Sequence, residues 1–241
     1  FSFAYIVYAS AWLKVHYPEH FYAGILSHQP MGFYSTSSLI HDARGHGLLV
    51  CPPDVNLSAE KTQVFPVNEI ERVIGAQALT EARGEVVPGK EGLVDPHARW
   101  GIVIGLDAIK GLDRSRIQRI VRERQDGLYA SFEQLASRAR LRSADLEKIA
   151  QAGALDSLGY ERREGIWASG SLGQDGGDSE EYQPMLDGFG LEYHLPELPP
   201  LDDFARINLD YESMGMSPKQ HPLELLRPEM NAQGVTPACG V

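Results

Sequence analysis

A glycine turn followed by an arginine-rich helix is the part of the sequence best suited to bind a charged ligand. Gly111 precedes a predicted helix in which Ile117, Ile120 and Val121 form one apolar face and arginines occupy the others. Glycine lets the chain turn so that unpaired N–H groups and the positive end of the helix dipole face outward, where they attract an anion such as phosphate. The residues predicted to contact that phosphate are Lys110, Gly111, Leu112, Arg114, Arg116, Arg119 and Arg122.

Asp113 departs from this arrangement. A second glycine is favoured at its position, and a carboxylate repels a phosphate. Because Asp is also a preferred N-cap residue, we expect the Asp113 side chain to cap the helix that follows it.

A second glycine turn, at Gly153, strengthens the prediction. It lies between two further predicted helices, and Arg162 and Arg163 follow it as additional predicted contacts. Residues 110–142 contain nine basic residues and four acidic ones, so a window of net charge +5 lies in a chain of net charge −11. Basic amphipathic helices are often merely solvated, but two glycine turns in tandem favour binding to a nucleic-acid backbone, without readout of base sequence.

The sequence contains no recognisable catalytic or metal-binding set. We find no phosphate-binding loop, no dinucleotide fingerprint and no serine or cysteine in a nucleophile motif. Asp54 follows a predicted strand in a proline-rich turn, so we expect it to serve the turn. The two cysteines, Cys51 and Cys239, lie far apart, which argues against a disulfide framework and favours a cytoplasmic location. We predict no catalytic residue, metal or cofactor for this chain.

The pattern along the chain predicts a mainly α fold with small β elements, of the α+β class. We predict helices over residues 1–16, 18–27, 35–47, much of 106–153, 160–168 and 204–234, and strands over 48–51 and 100–106. The first helix should be buried because it is apolar. The helical pattern over residues 204–234 should break at Pro218, Pro222 and Pro228. Residues 56–92 show little periodicity in their apolar residues. Residues 171–203 hold nine acidic residues and no Lys or Arg, which predicts an extended linker.

The start of the chain predicts neither a membrane span nor a signal peptide. Its apolar run, residues 1–13, is shorter than the roughly 20 residues that cross a bilayer. The run also lacks the basic leading region of a signal peptide. Because a helical pattern is already under way at residue 1 without an initiating Met, we expect the chain to be a piece of a longer protein.

Short motifs in order along nearly the whole chain resemble one polymerase family. They lie at residues 3–14, 16–18, 29–34, 42–44, 53–56, 105–112, 152–155, 162–167, 210–211, 215–217 and 221–222. Together they are similar to the bacterial C-family DNA polymerases, which include the DNA polymerase III alpha subunit. Residues 29–34 (QPMGFY) and 53–56 (PDVN) resemble the error-prone branch of that family.

The resemblance implies a domain plan. Residues 1–98 would be the C-terminal part of the polymerase fingers, and 99–168 a tandem helix-hairpin-helix domain that grips duplex DNA. Residues 169–203 would be an acidic linker, and 204–241 a connector before an OB domain. The palm, with its magnesium-binding aspartates, would precede residue 1, so this fragment would be inactive alone. Residues 183–189 are a degenerate candidate for contact with a sliding clamp, although an ordinary linker is the simpler interpretation.

Two other functions remain open at this level. The chain could be a stand-alone helix-hairpin-helix module for DNA binding or repair, or a scaffold whose arginines meet acidic proteins. The sequence upstream of residue 1 would separate a polymerase from a stand-alone module.

Overall fold

The computed structural model describes residues 2–87, 99–172 and 198–236, and the fold is mainly α with a small sheet, as predicted. The helices in these ranges are α1 (Ser2–His16), α2 (Pro18–Leu26), α3 (Thr36–Gly45), α4 (Val67–Ala82), α5 (Arg114–Glu123), α6 (Phe132–Arg138), α7 (Ser143–Gln151), α8 (Arg162–Leu172), α9 (Asp203–Met214) and α10 (Pro222–Ala232). The strands are β1 (Val50–Cys51), β2 (Gln63–Pro66) and β3 (Trp100–Val103). Short 3₁₀ turns occupy Leu106–Ala108, Arg124–Asp126 and Asp156–Leu158.

The sheet joins distant parts of the sequence. Its strand order is β1-β3-β2, with β3 parallel to β1 and antiparallel to β2. Strand β3 thus lies between two strands that precede residue 98, and the domain boundary predicted at residues 98 and 99 crosses a continuous sheet. The four-part domain plan stays a prediction.

One large hydrophobic core supports the arginine-rich region. It includes Ile40 from α3 and Ile102 from β3, and it continues through Ile120, Phe132 and Leu146 from α5, α6 and α7. These side chains are fully or almost fully buried. The helices around both glycine turns are therefore fixed to the same core as the sheet, and their exposed faces keep defined positions.

The predicted burial of the first helix is wrong. Helix α1 forms as expected, but none of its residues is buried, and Phe3 and Tyr5 are 78% and 74% exposed. Its main described contacts are with α2. An apolar helix is buried only where a partner surface meets it. The apolar sequence of α1 predicts that the helix is buried. The described residues, however, supply a partner for only a small part of its surface.

Residues 56–92 hold more regular structure than the pattern predicted. Strand β2 and helix α4 lie there, and α4 bends at Gly75, whose φ is +84°. The bend shifts the apolar positions and hides the helical period.

The predicted break at Pro228 is also wrong, because α10 continues through that residue. Most of the predicted acidic linker, residues 173–197, lies outside the described residues, and so does the clamp candidate at 183–189.

Candidate nucleic-acid interface

The first glycine turn has the conformation that the sequence predicts. Gly111 has a φ of +72°, a left-handed value that favours glycine, and α5 begins three residues later. Leu106, Ile109 and Leu112 around it are buried. The turn is therefore anchored from beneath while the polar face of α5 is left toward solvent.

Lys110 and Lys148 tie this turn to the rest of the fold. The Nζ of Lys110 donates hydrogen bonds to the carbonyls of Tyr211 (2.7 Å) and Glu212 (3.1 Å), at the C-terminal end of α9. A cation at that end binds carbonyls of the last helical turn and complements the helix dipole. The Nζ of Lys148 donates to the Gly111 carbonyl at 2.5 Å. Lys110 is thus occupied by a structural contact, and its predicted DNA contact stays a prediction.

The second glycine turn is equally well formed. Gly153 has a φ of +70° and follows α7. Its N–H donates to the carbonyl of Ala150 and the next N–H, of Ala154, donates to Ile149, which is the Schellman pattern of helix ends. A Cβ at Gly153 would lie only 2.6 Å from the Nε of Arg162. Glycine is needed here for both backbone conformation and space.

Arg162 points into the protein. Its Nη2 donates to Oδ1 of Asp210 at 2.5 Å, and the two side chains are 12% and 3% exposed. Its Nη1 also donates to the carbonyl of Arg206. Arg163 beside it is exposed and donates to the carbonyl of Pro199 at 2.8 Å. The structure separates these two predicted contacts: Arg162 joins α8 to α9, and Arg163 faces solvent.

The arginines of α5 differ in their acidic partners. Arg114 pairs with Glu60 (2.6 Å), and Arg116 lies 3.7 Å from the buried carboxylate of Asp145. Arg122 pairs with its neighbour Glu123 at 3.0 Å in an exposed position, where an ion pair is weak. The side chain of Arg119 makes no hydrogen bond or ion pair with any residue in the described ranges.

Arg119 lies among like charges. Its pKa is lowered first by burial and then by neighbouring guanidinium groups, against a smaller opposing effect of Glu123. Those groups belong to Arg116, Arg140 and Arg122. An anion placed among these guanidinium groups would relieve their mutual repulsion.

The expected cap by Asp113 is wrong. Asp113 is the N-cap residue of α5 by its backbone angles, φ −64° and ψ 139°, but its side chain makes no capping hydrogen bond. The side chain is exposed. The helix begins because the chain turns at Gly111 and packs through Ile117 and Ile120, without a side-chain cap from Asp113.

Comparison with known proteins agrees with this geometry. The family model described as helix-hairpin-helix motif matches residues 47–165. Error-prone DNA polymerases from Corynebacterium jeikeium, Teredinibacter turnerae and Mycobacterium tuberculosis are 37%, 36% and 35% identical to this chain over 98%, 95% and 98% of its length. The chain is homologous to one segment of the error-prone DNA polymerases. It spans about a fifth of the length of these curated relatives, from 18% to 20%.

The helix-hairpin-helix region depends on acidic residues that sequence reasoning missed. Asp145 holds Arg116 and Arg142 together, and Asp210 holds Arg162. Neither carboxylate was predicted to matter. Asp145 lies 29 residues from Arg116 and Asp210 lies 48 from Arg162, so no local spacing indicates either of these two long-range pairs. Both carboxylates are buried, so their role is to position the arginines that they pair with.

Asp54 serves a turn, as its sequence context predicts. The side chain is buried, and its carboxylate accepts hydrogen bonds from the N–H groups of Asn56 (2.8 Å) and Ser157 (2.9 Å). It thereby fastens the end of β1 to the segment after the second glycine turn. Burial raises the pKa of Asp54 to about 6, against the lowering effect of these hydrogen bonds.

The raised pKa of Asp54 predicts a pH dependence of stability. Between its ordinary value of 3.8 and about 6, the folded state binds more protons at this site than the unfolded state. The Asp54 contribution to the free energy of unfolding should therefore fall by about 3 kcal/mol as pH rises through this interval. Urea unfolding of the chain and of Asp54→Asn, at pH 4, 5, 6 and 7, measures the difference between them. A difference that stays constant with pH would contradict the prediction.

Two further properties concern the described residues only. None of their helices is both long enough and apolar enough to cross a membrane. No three His, Cys, Asp or Glu side chains among them lie together in a way that could hold a metal ion.

Proposed function

We propose that this chain is the segment of an error-prone DNA polymerase that grips duplex DNA through backbone phosphates. The observation that carries the proposal is the basic face of α5 beside Gly111, within a region that matches the helix-hairpin-helix motif. Both glycine turns have left-handed glycines, and both are fixed to one core. Such a surface contacts phosphates and is indifferent to base sequence.

The relatives support a polymerase context for this grip. They are named error-prone DNA polymerases, and they align with nearly the whole chain. In our proposal the parent protein extends a primer over damaged template during DNA repair, using Mg²⁺ held outside this chain. The present segment holds the primer–template duplex behind the site of chemistry and is inactive alone. A cytoplasmic location fits this role, and a sliding clamp is a further proposed partner.

The proposal predicts duplex affinity that falls steeply with salt. Several arginine–phosphate contacts should make log K fall with log salt concentration at a slope of about −3 or steeper, since each contact contributes about −0.9. Fluorescence anisotropy with labelled duplexes of two unrelated sequences, at several salt concentrations, measures both slope and preference. We expect the two duplexes to bind within about threefold of each other, because phosphate contacts carry no sequence information.

Two results would count against the proposal. Absence of duplex binding at low salt would contradict the proposed grip on DNA. A large preference for one duplex would indicate base readout. Poly-glutamate serves as the matched competitor with repeated negative charge but no phosphodiester. If poly-glutamate binds tightly and duplex DNA does not, the chain is a scaffold for acidic proteins.

A further inference from the structure

Arg140 has an unusual backbone conformation for its residue type. Its φ is +48°, and it is the one non-glycine residue with positive φ in the described ranges. A side chain in this region crowds the backbone, so the conformation costs free energy that glycine avoids. Residues held in such conformations tend to occur where function requires them.

The helix end at Arg140 shows what the position would ordinarily contain. After α6, the N–H of Arg140 donates to the carbonyl of Ser137 and the N–H of Leu141 to Ala136, which is a Schellman motif with Arg140 in the left-handed position. The same hydrogen-bond pattern ends α3 and α7. There the left-handed residues are Gly47 and Gly153, with φ of +78° and +70°. Only the α6 end, of these three, carries a side chain at that position.

The turn that carries Arg140 lies next to the α5 arginines. The Nη1 of Arg116 donates to the Arg140 carbonyl at 3.2 Å, which fixes the α6–α7 turn against α5. Arg140 is exposed. Arg119 and Arg122 continue the row begun by Arg116, each three residues further along the helix. The pKa of Arg119 responds to the charge of Arg140, which agrees with this placement.

We propose that Arg119 and Arg140, with Arg122 beside them, form a phosphodiester-binding site between α5 and the α6–α7 turn. The inference rests on the proposed DNA grip and adds a site that lies apart from both glycine turns. Arg119 supplies a guanidinium with no acidic partner in the described structure. Arg140 supplies a second one from another element, the α6–α7 turn, which the hydrogen bond from Arg116 holds against α5. Two guanidiniums on separate elements can contact one phosphate from two sides or two successive phosphates.

The replacement Arg140→Gly separates the two roles of the residue. It removes the guanidinium and relieves the backbone strain, so the melting temperature should stay within about 3 °C of the unchanged chain or rise. Duplex affinity at about 0.1 M salt should fall roughly 5–10-fold, and the salt slope should lose about one unit. Arg140→Asn, which tolerates a left-handed backbone, should bind as weakly as the glycine variant. Arg140→Lys retains a charge and should bind better than either.

The matched control is Arg72→Ala. It removes the same charge from an exposed position on α4, outside the helix-hairpin-helix elements, and should leave affinity within about twofold of the unchanged chain. If the unchanged chain binds duplex but Arg140→Gly binds equally well with the same slope, this site is wrong and the proposed grip stands. If the unchanged chain does not bind duplex, the grip itself is wrong. A large loss of melting temperature in both Arg140→Gly and Arg140→Asn would show that Arg140 serves folding, and would also overturn the site.

Discussion

Replacing Arg162 with alanine is expected to lower the free energy of unfolding by about 3–5 kcal/mol, because it leaves a buried carboxylate without its cation. Asp210 is only 3% exposed, and its Oδ1 accepts the hydrogen bond from Arg162. The hydroxyl of Ser217 donates to Oδ2 at 2.6 Å and would remain, but one neutral donor does not replace a guanidinium. Urea denaturation of the chain and the variant measures the loss.

Arg163→Ala is the matched control for this prediction. Arg163 is the next residue, carries the same charge and is exposed, so its removal should change stability by less than about 0.5 kcal/mol. The double replacement Arg162→Met with Asp210→Leu removes both charges and should recover much of the loss. If Arg162→Ala instead weakens duplex binding while stability is unchanged, Arg162 contacts DNA, as its sequence position first predicted.

Replacing Arg114, Arg116 and Arg119 together with alanine is expected to weaken duplex binding by roughly 10²-fold or more at about 0.1 M salt. Each lost phosphate contact should also reduce the salt slope by about 0.9, so the slope should fall by two to three units. Of the three, Arg119 should contribute most, since Arg114 and Arg116 already have the acidic partners Glu60 and Asp145. Anisotropy titrations across a salt series measure affinity and slope in the same samples.

Stability must be followed alongside binding in that experiment. Arg116 contacts the buried Asp145, but Arg142 also lies 3.2 Å from this carboxylate, so Asp145 keeps a cation when Arg116 is removed. We therefore expect the variant to remain folded. The double replacement Arg114→Ala with Arg119→Ala avoids the Asp145 contact and should retain most of the binding defect.

A charge-matched control distinguishes a local contact from the loss of net charge. Replacing Arg72, Arg83 and Arg227 with alanine changes the net charge by the same amount, at positions on or after α4 and on α10. This control should bind duplex nearly as well as the unchanged chain. Equal losses in the two triple variants would mean that only overall charge matters, and the helix-hairpin-helix assignment of the binding surface would be wrong.

Local features of the candidate interface followed from the sequence. The sequence predicts turns at Gly111 and Gly153 because glycine adopts the left-handed conformation without strain, and both residues have it. The basic face of α5 followed from apolar residues three and four positions apart, and Ile117 and Ile120 are buried as that spacing requires. Family, fold class and most helices follow from the same kind of short-range information.

Tertiary structure alone decided which cations remain for a ligand. Lys110 caps α9 about 100 residues away, and Arg162 pairs with Asp210, while Arg119 has no such partner in the described chain. It also decided that α1 is exposed. Turns and helices depend on neighbours within a few residues, so the sequence determines them directly. Burial and ion pairing depend on which distant surfaces meet, and only the assembled core brings those surfaces together.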